Sequence, residues 1–110
     1  LNFDKLDSKK SKKYLLLGDM LELGRHSKKL HQSMGKIINQ TKIDKVFVKG
    51  NKVLFTFNSI SKLKRGRILK NNSQIINLIK NDLNNNDYLM VKASNATGIN
   101  KIVNNLKGLK

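Results

Sequence analysis

The sequence predicts an α/β fold in which a mostly parallel sheet is flanked by helices. Three observations carry that prediction. Short apolar runs of strand length stand at residues 14–17 (YLLL), 46–48 (VFV) and 88–91 (YLMV). They lack the polar alternation of a half-exposed strand, as strands covered on both faces do. Segments with helical spacing separate them. The two kinds alternate along the chain, which is the order of βαβ crossovers.

Each element has a local reason. Residues 1–6 close a helix, and residues 7–13 form a polar, solvated linker. The first full strand covers 13–17 and stops at Gly18, since glycine accepts backbone angles a larger residue cannot. Ser27 is placed to cap the next helix. There Leu30, Met34, Ile37 and Ile38 fall at i, i+4, i+7 and i+8, one apolar stripe, and residues 40–42 end it. KVFVK at 45–49 is β-branched and aromatic in the manner of a strand, and Gly50 breaks it. Residues 51–60 read as a helix from the surrounding rhythm, although Val53, Phe55 and Phe57 alternate as a strand does. A short strand follows at 66–69. Ser73 caps a helix with Ile75, Ile76, Ile79 and Leu83 on one side. NNND at 84–87 is a turn cluster. A strand at 88–91 leads to a helix at 96–106 bearing Ile99, Ile102, Val103 and Leu106, and residues 107–110 are a polar tail.

Length and composition bound the rest. A chain of 110 residues holds a single domain with one modest core. It opens on Leu1, which reads as a piece of a longer polypeptide. It has no cysteine, so neither a disulfide nor a thiolate metal site is available. No apolar run reaches the ~18 residues of a membrane span, no signal peptide is visible, and the cytoplasm is the default location. The net charge of +16 invites a nucleic-acid reading. Against it, only Arg25, Arg65 and Arg67 among the 23 basic residues are arginine, aromatics are few, and the lysines run from end to end. Lys, Asn and Ile share A/T-rich codons, so genome bias accounts for the composition.

If the strands at 15–17, 46–48 and 89–91 are parallel, their carboxyl ends share one edge, where open α/β sheets hold ligands. The loops at 18–24, 49–51 and 92–98 then bring together Asp19, Glu22, Lys49, Lys92, Ser94 and Asn95. A small zwitterion needs carboxylates for its ammonium and Lys, Ser or backbone N–H groups for its carboxylate, and this edge supplies both. Each residue keeps a plainer alternative. Asp19 either orients an amine or a neighbouring loop, or accepts local backbone N–H groups. Glu22 holds a cation or pairs with a lysine. Lys49 and Lys92 bind an anion or only meet solvent. Ser94 and Asn95 precede a helix, whose free N–H groups favour an anion, or Ser94 is an ordinary cap. His31, four residues before the core-side position Gly35, reads as a buried, hydrogen-bonded structural histidine rather than a general base, and His26 as an exposed loop residue. No metal cluster is evident, and no G-x-x-x-x-G-K-[ST] phosphate loop is present.

GDMLELGRHSKKLH at 18–31 resembles the LGDM-x-ELG-x-x-S-x-x-x-H signature of the Mur ligase C-terminal domain, in the D-alanyl-D-alanine-adding branch of that family. VKASN at 91–95 is similar to the family's VKGS(R/N) loop, with Ala93 in place of glycine, and Lys49-Gly50 to a VKG-like strand end. The resemblance runs along essentially the whole chain. It implies a Rossmann-like domain, residues 1–110, truncated at its N-terminus, from a three-domain enzyme. The implied reaction is ATP-dependent amide ligation joining D-alanyl-D-alanine to UDP-N-acetylmuramoyl tripeptide in peptidoglycan precursor synthesis. The partners implied are those two substrates and the central ATPase domain of the same chain, which holds most of the ATP and Mg2+ contacts, with no membrane or nucleic acid. By position Asp19, Glu22, Lys49, Lys92, Ser94 and Asn95 face substrate, and Gly18, Gly24, His31 and Gly50 shape the motif. No catalytic residue is expected in this piece, which should be inactive alone. The alternatives are a Mur-type ligase with another amino substrate and a basic nucleic-acid-binding module.

Overall fold

The computed structural model describes residues 11–84 and 86–107; the expected helix end at 1–6, the linker as far as residue 10 and the tail beyond 107 lie outside the described residues. Four strands form one sheet: β1 (Lys13–Gly18), β2 (Lys45–Lys49), β3 (Arg65–Ile68) and β4 (Tyr88–Lys92). Their order is β3-β2-β1-β4 and every pairing is parallel. The helices are α1 (Ser27–Asn39), α2 (Leu54–Ser59), α3 (Asn72–Asn77, running into a π turn at Leu78–Asp82) and α4 (Ile99–Lys107). The α/β class with a parallel sheet is therefore as the sequence predicts.

Strand alternation divides the core in two. Leu15, Leu17, Val46 and Val48 pack with Ile38 of α1 and Phe57 of α2. Leu16 and Phe47 point the other way and pack with Ile75, Leu78 and Ile79, and with Val103 and Leu106 of α4. This distribution follows from right-handed crossovers. The chain moves outward from β1 to β2 to β3 with α1 and α2 on one face. It then returns past β1 to β4, so α3 must cross on the opposite face. The loops after β1 and β4 consequently leave toward opposite faces, and a crevice opens between their carboxyl ends.

Three local expectations are corrected. The first concerns α1, whose buried residues are Ser27, His31, Gly35 and Ile38, while Leu30 and Ile37 are 44% and 57% exposed. The cause is close approach to α2: a Cβ at Gly35 would lie 2.8 Å from the Thr56 carbonyl oxygen and 2.6 Å from Ser59 Cβ. The small-residue face goes inward because only it lets the helices meet. Second, Ser27 is the first residue of α1 rather than its cap, and its hydroxyl lies 3.1 Å from His31 Nδ1. Third, Asn71 and not Ser73 caps α3, its Oδ1 accepting from Gln74 N at 3.0 Å. Residues 54–59 are helical, because Val53, Thr56 and Phe57 are buried at i, i+3 and i+4.

Candidate functional site at the switch point

The crevice between β1 and β4 is bounded by the turn after Gly18, the β2–α2 connection and the loop at 93–98. Asp19 organises it. Its Oδ1 accepts from Val53 N at 2.8 Å and its Oδ2 from Asn51 N at 3.3 Å, so the carboxylate meets the unpaired amides where α2 begins. Gly50 makes room: it has φ +137°, and a Cβ there would lie 2.4 Å from Asp19 Oδ1. The Asp19 carbonyl accepts from Ser94 N at 3.1 Å. Ser94 Oγ in turn accepts from Leu21 N at 2.8 Å. The β1 turn thus grips both neighbouring loops.

His31 reaches the same turn from α1. It is 1% exposed, its Nδ1 is 2.7 Å from the Ser27 carbonyl oxygen, and its Nε2 accepts from Met20 N at 3.3 Å. Gly18 is the buried end of β1, with the Ala93 methyl close against it. Gly24 lies within the 3-10 turn at Leu21–His26 with φ 61°. Glu22 is in that turn, and its side chain lies outside the described residues. Asn95 is exposed at the start of a short 3-10 turn, its Oδ1 3.3 Å from Asn100 Nδ2.

The two lysines are not side by side. Lys49 pairs with Gly18 and Lys92 with Leu17, one on each flank of β1, about two strand spacings or roughly 10 Å apart. Alternation sends Lys92 to the side of Met90, facing α1, and Lys49 to the side of Phe47. Lys92 lines a groove of about 370 Å3 together with Leu15, Met20, Leu30, Met34 and Ile37. The structure therefore brings Asp19, Ser94 and His31 into one hydrogen-bonded unit and sets Lys49 and Lys92 on opposite faces around it. Sequence reasoning missed the groove and the tie from His31 to Met20. The outward stripe of Leu30 and Ile37 signalled the first; nothing in the sequence pointed to the second, which joins residues 11 apart through a backbone amide.

Among the described residues, no three His, Cys, Asp or Glu side chains are placed to hold a metal ion. No described helix is long and apolar enough to cross a membrane.

A parallel sheet with helices on both faces and polar groups at its switch point defines a doubly wound α/β domain. No family model matches the chain. It is 32% identical over 98 residues to the UDP-N-acetylmuramoyl-tripeptide–D-alanyl-D-alanine ligase of Bacillus subtilis (strain 168), an alignment covering 86% of this chain and 21% of the relative. Its fold is similar to the crystal structure of MurF ligase from Thermotoga maritima in complex with ADP, with a TM-score of 0.68, 26% identity, and coverage of 86% of this chain and 21% of that one. The chain is a Mur-ligase-type domain, homologous to part of the D-alanyl-D-alanine-adding ligases, and it spans about a fifth of the length of the curated relative it matches.

Proposed function

We propose that this chain is the C-terminal, closing domain of an ATP-dependent ligase that adds D-alanyl-D-alanine to UDP-N-acetylmuramoyl tripeptide in the cytoplasm. The observation that carries the reading is the 32% identity across 86% of the chain to a ligase of that name. The position of both motif loops at the sheet's switch point supports it. On this reading the tripeptide carboxylate attacks the γ-phosphorus of ATP, the bond to the bridging oxygen breaks, ADP leaves and an acyl phosphate forms. The dipeptide amine then attacks the acyl carbon, phosphate leaves, and the nitrogen gives up a proton. On this reading ATP and Mg2+ are held mainly by another domain, since this sequence has no G-x-x-x-x-G-K-[ST] phosphate loop. This chain's part is to orient the dipeptide and exclude water on closure. Lys92 supplies a cation for the dipeptide carboxylate, and Asp19 and Ser94 hold the loops that present it.

The test is phosphate release by the ligase that contains this chain, supplied with UDP-N-acetylmuramoyl tripeptide, ATP, Mg2+ and D-alanyl-D-alanine. Release should depend on the dipeptide. Lys92→Ala should raise the dipeptide KM about tenfold, the ~1.4 kcal/mol of one hydrogen bond to a charged group. Release that ignores the dipeptide removes the reading.

A further inference from the structure

We propose that His31 is a positioning residue of the switch-point site: a neutral imidazole carrying its proton on Nδ1, which pins the Asp19–Leu21 turn from inside the domain. The assignment follows from the polarity of its partners. The Ser27 carbonyl oxygen, 2.7 Å from Nδ1, can only accept, so Nδ1 bears hydrogen. The Met20 amide, 3.3 Å from Nε2, can only donate, so Nε2 offers its lone pair. Both are backbone groups, and one tautomer satisfies both. A ring that merely filled space would require neither polarity.

What the ring pins matters more than the ring. Residues 19, 20 and 21 are tied in succession to three different elements: Asp19 to the start of α2, Met20 to His31 on α1, and Leu21 to Ser94 after β4. The circuit closes through α2, because the fully buried Thr56 hydroxyl donates to the His31 carbonyl at 2.6 Å. The His31–Met20 bond thus holds the middle of a turn whose ends set the β2 and β4 loops. The claim that these loops meet substrate rests on the proposed ligase function; the tautomer and the pinning do not.

The experiment is NMR on the ligase that contains this chain, with these 110 residues segmentally 15N-labelled and no ligand added. The imidazole nitrogen shifts should report the Nδ1–H tautomer, and a coupling across the hydrogen bond should connect Met20 N with His31 Nε2. Two variants separate pinning from packing. His31→Gln keeps an acceptor, so Met20 amide exchange should stay within about threefold of the parent. His31→Phe keeps a ring but no acceptor, so Met20 exchange should rise at least tenfold relative to Leu16, with the Leu21 and Ser94 amide signals displaced. A proton found on Nε2, an absent coupling, or Phe tolerated better than Gln overturns the proposal. If a variant does not fold, the parent's tautomer and coupling decide. Loss of dipeptide-dependent ligation with this tautomer intact removes the proposed function and leaves the pinning in place.

Discussion

Asp19 shows at the scale of one residue how a motif acidic group is used. Its two oxygens accept from Asn51 and Val53 amides, so it acts as a remote cap for a helix in another segment. A capping side chain truncated to alanine costs about 1 kcal/mol, within a range of roughly 0.5–2. Asp19→Ala should therefore lower the unfolding free energy by that amount, seen as a lower urea midpoint with an unchanged slope, and Asp19→Asn, which retains one acceptor oxygen, should cost less. A midpoint that does not move for Asp19→Ala would show that the two amides find water instead. The donors are not the local amides of the plainer sequence alternative; the carboxylate holds a neighbouring loop, the β2–α2 connection. Its donors were illegible in sequence because they come from 32 and 34 residues away.

Among the elements, α1 is the one whose pattern misleads. Periodicity counts apolar residues and so selects the face with Leu30 and Ile37, yet Gly35 and His31 turn inward because α2 needs close approach. The corrected face makes a direct prediction. Ile38, 1% exposed, should cost roughly 2–5 kcal/mol on replacement by alanine, whereas Ile37→Ala should stay near 0.5 kcal/mol. Equal losses by thermal melting would restore the sequence-based face.

Strand β1 carries a pH dependence. Tyr14 is half-buried, its ring 5.8 Å from that of Phe47. Burial first, and then the negative charges of Asp87, Asp44 and Asp82, push its phenol above its ordinary value. The neutral form is favoured in the folded state. Its contribution is thus complete below the unfolded value of about 10 and is lost as pH rises through the higher folded value. The difference in stability between the parent and Tyr14→Phe should be constant up to about pH 10 and then shift in favour of the variant, which has no phenol to ionise. A constant difference through the alkaline range counts against that cause.

For the whole molecule the dominant fact is a net charge of +16. Self-repulsion of that size destabilises a compact state and is screened by salt, with a Debye length of about 10 Å at 0.1 M. The melting temperature should rise between about 20 and 200 mM sodium chloride, where screening shortens from beyond to below the spacing of surface charges. The same titration addresses the nucleic-acid alternative. Binding to random duplex DNA with a steep salt slope would favour it, and weak binding with a shallow slope would leave the charge as a compositional feature.

Hydrophobic runs and their alternation with amphipathic segments determined that this chain is a parallel α/β domain, because burial on both faces of a strand requires an unbroken apolar run at 14–17, 46–48 and 88–91. The same order of elements placed the loops at 18–24, 49–51 and 92–98 on one edge, since parallel strands have one carboxyl end. Only the tertiary structure decided which groups on that edge meet. It put β4 beside β1, sent Lys49 and Lys92 to opposite faces, and joined Asp19, His31 and Ser94 through backbone amides. Such bonds depend on where main-chain N–H groups come to rest, and every residue but proline carries one, so side-chain identity alone does not reveal them.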